Sequence, residues 1–133
     1  MKTLVSIAFM VLLGVGASAQ STLTFCVEVG KGDSCIRPTT EFDIDDDGGT
    51  ISMLVKPEDS VQTTILRYKI YYIDNYGNEQ WSNTIEQITN PSWTFAWQDV
   101  VFYDPGTYKI KVYRTLPDGE KFLISGLVKL FCR

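Results

Sequence analysis

A chain of 133 residues with 12 basic and 16 acidic side chains, a formal charge of −4 and no histidine excludes several classes of protein at once. Its acidic balance offers no cationic footprint for nucleic acid or anionic membrane. The missing imidazole removes Ser-His and Cys-His nucleophile activation, and the length suffices for one core but not for a core with a deep catalytic cleft.

The chain opens with MKTLVSIAFMVLLGVGASAQ. A positive Lys2, an apolar run from Leu4 to Val15 and the small-x-small Ala17-Ser18-Ala19 form the pattern of a cleaved signal peptide, residues 1–19. The apolar run is too short to cross ~30 Å of hydrocarbon, and no later stretch approaches that length, so no membrane span is expected after signal removal. The expected mature chain starts at Gln20 and forms a single domain, 20–133. It loses Lys2 with the signal and carries 11 basic against 16 acidic residues, a net charge of −5. Its expected location is secreted, or periplasmic and cell-surface.

The first mature stretch, STLTFCVEVGKGDSC, alternates: Leu23, Phe25, Val27 and Val29 share an inward face and Cys26 points the other way. Gly30-Lys31-Gly32-Asp33 is a turn signal, and a chain that folds back there brings Cys35 across from Cys26. Export makes a disulfide plausible, and three cysteines leave one thiol over. The favoured pair is Cys26–Cys35; the competitor is Cys26–Cys132. Cys132 shares its parity with Phe122, Ile124, Val128 and Leu130 and reads as a small buried hydrophobe.

FDIDDDGGTISMLV is strand, acidic turn, strand. Asp43-Ile44-Asp45-Asp46-Asp47-Gly48 matches the front half of a calcium loop, with Asp43, Asp45 and Asp47 as candidate ligands. The twelfth loop position is Leu54, inside an apparent strand, so the motif reads either as a hairpin turn or as half a site. Calcium is the one candidate cofactor; otherwise none is expected.

TTILRYKIYYI sets Leu66, Tyr68, Ile70 and Tyr72 against Arg67, Lys69 and Tyr71. DNYGNEQW is a turn, SWTFAWQDVVF an aromatic strand, and TYKIKVYRT sets Tyr108, Ile110 and Val112 against Lys109, Lys111 and Tyr113. LPDGEKF is a hairpin turn on Asp118-Gly119. EKFLISGLVKLFC closes the chain, with Gly126 a candidate bulge. No segment has helical period. Short strands with turn signals about every ten residues mean a sandwich or a barrel.

Phe95-x-Trp97-x-x-Val100-x-x-x-Asp104-x-Gly106-x-Tyr108 resembles the tyrosine corner between strands E and F of immunoglobulin-like domains, here of the kind found in small exported bacterial proteins. The resemblance implies an all-β, antiparallel sandwich of about seven strands. It implies a buried Tyr108 ring whose hydroxyl bonds to upstream backbone, with Phe95 and Trp97 in the core and Trp93 sharing their parity. Two features depart from antibody-type domains: Ile110 stands where the second core cysteine would be, and Tyr68, not Trp, is the core aromatic of the strand equivalent to C.

The same resemblance places strands C, F and G in one sheet. Arg67, Lys69, Tyr71, Lys109, Lys111 and Tyr113, with Lys121, Leu123, Leu127 and Lys129, then form a basic and aromatic outward patch. Such a patch suits partner binding, the partner being a protein, an anionic polysaccharide or another copy. The expected role is a non-catalytic binding, assembly or adhesion module and not an enzyme. The alternatives are carbohydrate binding through Tyr76 and Trp81, whose rings suit pyranose C–H faces, and a calcium-stabilised structural module.

Overall fold

The computed structural model describes residues 20–133; the expected signal peptide lies outside them. Ten strands and no helix make up the described residues: β1 (Thr22–Cys26), β2 (Glu28–Val29), β3 (Cys35–Ile36), β4 (Glu41–Ile44), β5 (Gly49–Lys56), β6 (Ile65–Ile73), β7 (Glu79–Ile88), β8 (Ala96–Phe102), β9 (Gly106–Leu116) and β10 (Gly119–Cys132). Thus none of the described residues belongs to a helix able to cross a membrane.

Two sheets face each other. One has the order β1-β5-β8 and the other β4-β10-β9-β6-β7, while β2 and β3 pair as a small hairpin. Neighbours are antiparallel except β4, which runs parallel to the end of β10. Period-two patterning places one face of each strand in the core, as alternation requires. Leu66, Tyr68 and Ile70 of β6, Ile110 and Val112 of β9, and Val128 and Leu130 of β10 meet Phe25, Ile51, Met53 and Val55 of the smaller sheet. Tyr68 is fully buried, as its core position anticipates.

The corner forms. Tyr108 is buried, its ring packs 4.6 Å from Phe102 and 5.5 Å from Tyr72, and its hydroxyl donates to the Asp104 carbonyl at 2.9 Å. Gly106 sits behind it at φ +142°, where a Cβ would stand 2.6 Å from Tyr72 Cε1.

Several inside-outside expectations need correction. β8 turns Ala96, Val100 and Phe102 inward, so Trp97 and Trp93 are about two-fifths exposed and Phe95 is only half-buried. The alternative parity would have carried Asp99 into the core as an unpaired charge; instead Asp99 faces away and accepts a bond from Ser52 Oγ at 2.6 Å. Val27 is exposed because β1 ends at Cys26. Cys26 does lie on the face opposite Phe25, yet it is fully buried. The β2–β3 hairpin folds over that face and is held there by the Cys26–Cys35 disulfide and a 3.0 Å ion pair between Asp33 and Lys56. Cys132 is exposed, not buried. β10 runs two residues past the position where Leu130 pairs with Gly106, the first residue of β9, so Cys132 is flanked by β4 alone, opposite Ile44. The irregularity in β10 falls between Phe122 and Ile124, not at Gly126, which pairs regularly with Ile110.

Candidate functional site

The outer face of the five-stranded sheet is set by register. Arg67 lies opposite Tyr113, Lys69 opposite Lys111, and Tyr71 opposite Lys109. All six residues expected to form the patch therefore share one face. Two bulges enlarge it. β7 carries an extra residue, Ser82, between the pairs Ile70–Asn83 and Tyr71–Trp81. An extra residue reverses the side to which the rest of a strand points, so Trp81 joins the outer face beside Tyr71. Leu123 is the extra residue of β10 and turns Phe122 outward against Tyr113, ring centroids 5.7 Å apart. The parity shared by Phe122 and Ile124 in the sequence does not survive this bulge.

Charge on the face is interleaved, not uniformly basic. Arg67 Nε donates to Glu86 at 2.8 Å, and its guanidinium also pairs with Glu120. Lys69 Nζ meets Glu120 at 2.7 Å, while Lys111 and Lys109 flank Glu79 at 2.6 and 3.4 Å. Lys69 Nζ also stands 4.5 Å from the centre of the Tyr113 ring and Lys111 Nζ 4.6 Å from that of Tyr71. Hydrogen bonds from Lys69 and then Arg67 hold the Glu120 carboxyl below the usual glutamate range, and Lys111 does the same for Glu79. The bond to Glu120 raises Lys69, and the bond to Glu79 raises Lys111. Glu79 and Glu86 sit on the edge strand β7, outside the strands equivalent to C, F and G.

These shifts set the direction of a pH effect. A carboxylate whose folded pKa is depressed adds stability above its unfolded pKa and loses it as pH falls through the folded value. The thermal midpoint should hold near neutrality and decline below about pH 4. The double variant Glu79→Gln, Glu120→Gln should decline less steeply in a melting series across pH 3 to 7, by a few degrees only, because exposed pairs are worth little. An unchanged slope would show that the pairs do not stabilise the fold.

The other candidates are dispersed. Tyr76 is 89% exposed at the tip of a turn in which Asp74 Oδ1 accepts from the Tyr76 and Asn78 amides, each at 2.9 Å. Trp81 donates from Nε1 to Thr84 Oγ1 at 2.8 Å and borders a shallow cavity with Tyr72 and Pro105 to which Tyr76 contributes nothing. The two glycan candidates therefore do not form one platform. Asp45 and Gly48 close a hairpin turn, the Gly48 amide bonding the Asp45 carbonyl at 2.9 Å. Asp45 pairs with Arg133 at 3.5 Å, and Asp43 lies on β4 opposite Phe131. Asp43, Asp45 and Asp47 do not converge, and among the described residues no three Asp, Glu, His or Cys are placed to hold a metal. The half motif is a turn, with Gly48 at φ +98° where a Cβ would stand 2.7 Å from the Phe102 carbonyl.

No family model matches the chain, and no curated protein matches its sequence. Solved structures do resemble it, two of them as follows. An immunoglobulin-like protein from Pseudomonas aeruginosa aligns over 86% of this chain and 99% of its own at 15% identity and a TM-score of 0.50. The PmoD soluble domain from a Methylocystis species aligns over 83% and 90% at 14% identity and a TM-score of 0.52. At such identities the likeness speaks to fold alone. Two facing sheets, the corner pinned by Tyr108 and these two likenesses make the described chain an immunoglobulin-like β-sandwich.

Proposed function

We propose that this domain is an exported, non-catalytic recognition module that docks a protein partner on the outer face of its five-stranded sheet. The observation that carries the reading is the concentration of large apolar side chains on that rigid face: Trp81 is 64% exposed, and Phe122 and Leu127 are each 53% exposed. A sheet has little loop entropy to lose on binding, and exposed aromatic and aliphatic groups amid paired charges are the composition of a protein interface. The paired charges favour a protein over an anionic polysaccharide, since a polyanion would have to displace Glu79, Glu86 and Glu120 from their cations. Export is supported by the signal-like first 19 residues and by the disulfide. A binding role without catalysis is supported by a sequence that lacks histidine.

The test is capture of envelope or secreted proteins on the immobilised domain. One partner should be retained in about 0.5 M NaCl, where screening acts within a few ångströms. It should be lost with Phe122→Ala or Trp81→Ala and kept with Val101→Ala, a control on the other sheet. Capture that disappears in salt, or that survives both aromatic variants, would end the reading.

A further inference from the structure

The segment joining β7 to β8 and the start of β8 carry three aromatic residues that neither the core nor the five-stranded face uses. Trp93, Phe95 and Trp97 line an open cleft of about 690 Å³ together with Gln87, Ser92 and Thr94. Trp93 is 43% exposed and Trp97 41%. The volume falls within the range of small-ligand sites, which pair apolar walls with a few placed polar groups.

The walls are fixed before any ligand arrives. The Val61 amide donates to the Trp93 carbonyl and the Gln62 amide to the Pro91 carbonyl, both at 2.8 Å. Gln62 takes a left-handed backbone, φ 59°, to make its bond, a conformation of the kind that persists where its surroundings enforce it. Asn90 Oδ1 accepts from the Ser92 amide at 2.9 Å and from its hydroxyl at 2.7 Å, closing the turn that presents Trp93. Gln87 is held from behind: its Oε1 accepts the Tyr68 hydroxyl at 2.6 Å, and its Nε2 donates to the Trp97 carbonyl at 2.8 Å. A pre-ordered wall leaves less entropy to lose on binding.

The lining chemistry selects the ligand. None of the lining residues, Ala96 included, is ionisable, so a charged ligand would find no counter-charge. Two indoles and a phenyl ring offer flat faces for apolar C–H surfaces, while hydroxyls and an amide border them. Among the described residues β8 pairs only with β5, so it is a sheet edge, and its Trp97 carbonyl is already engaged by Gln87, which leaves the Ser92 and Thr94 hydroxyls to meet the hydroxyls of a ligand. The cleft is open, so one side of a ligand stays in water; that suits a ring with hydroxyls on its rim and not an aliphatic chain, which needs enclosure.

We infer that the cleft of Trp93, Phe95 and Trp97 is a binding site for a neutral saccharide, held by stacking of pyranose rings on the indoles. The site stands on a different surface from the proposed protein-docking face, and the two readings can fail separately. The experiment is a tryptophan-emission titration of the purified protein with cellohexaose, xylohexaose, mannohexaose, maltohexaose and chitohexaose, with polygalacturonate as the charged counterpart. At least one neutral hexasaccharide should give a saturable shift in emission. Trp81→Ala should preserve it, because the two remaining indoles both line the cleft. Trp93→Ala or Trp97→Ala should weaken binding by about tenfold or more. Thr94→Glu, an exposed change that keeps both indoles and spares the fold, should weaken it comparably. Absence of a shift with all five neutral sugars would overturn the inference. So would a shift seen only with polygalacturonate, or one that persists in both Trp93→Ala and Thr94→Glu.

Discussion

Replacing Tyr108 with alanine should cost about 3–5 kcal/mol of folding stability, as for other large aromatic side chains removed from a core. The ring is buried on the central strand β9, between Phe102 of the opposite sheet and Tyr72 of its own. Its removal empties the seam where the two sheets meet and frees the Asp104–Gly106 bend. Tyr108→Phe separates the two contributions. It keeps the ring and deletes only the bond to the Asp104 carbonyl, 2.9 Å long, so about 1 kcal/mol should go. Asp104 is exposed, which lets water replace the lost donor and keeps the cost at the lower end. Urea titration of the three proteins with emission and circular dichroism as probes gives both numbers. Equal losses for the two variants would mean that the hydroxyl, not the ring, holds the corner. Since a domain of this size is stable by about 5–15 kcal/mol, the alanine variant should be marginal at 37 °C.

Tyr108 is also where the sequence was most informative. Its neighbours Asp104, Pro105 and Gly106 are turn residues for separate local reasons, and the alternation after it leaves only one side for the core. Local period likewise assigns the faces of β6 and β9 correctly, which is why Arg67, Lys69, Tyr71, Lys109, Lys111 and Tyr113 come together. Alternation fails where a strand gains one residue. Ser82 and Leu123 each reverse the parity between the two halves of their strand, and neither is a glycine or otherwise marked. The face therefore gains Trp81 and Phe122 through features that only pairing reveals. In β8 both parities offer apolar residues, and the aromatic set Phe95–Trp97 is the more apolar of the two. The deciding residue is Asp99, whose charge excludes that set from the core. Neutralisation of the patch escapes a reading of single strands altogether, since Glu79, Glu86 and Glu120 reach the cations across strands.

Removing the Cys26–Cys35 disulfide should cost about 2.5 kcal/mol, the loop-closure value for a link nine residues apart. For a domain of this size that is a fall of about 10 °C in melting temperature. The link does more than shorten the unfolded chain. β2 and β3 have two residues each and bury little by themselves; hairpin and sandwich are joined by the disulfide, by the 3.1 Å bond from the Thr39 amide to the Phe25 carbonyl and by the exposed Asp33–Lys56 pair, and exposed pairs hold weakly. Reduction should release the hairpin first, uncover the face of β5 that carries Ser52 and Leu54, and leave the Tyr108 corner intact. The readout is melting of the oxidised protein, the reduced protein and the Cys26→Ala, Cys35→Ala variant, with amide exchange across residues 27–38. Cys132→Ala is the control and should melt like the parent, because that thiol is free and exposed. Exchange that quickens only in residues 27–38 would fit a clasp over one sheet. Uniform quickening, or a melting temperature indifferent to reduction, would remove the disulfide from the account of what holds this sandwich together.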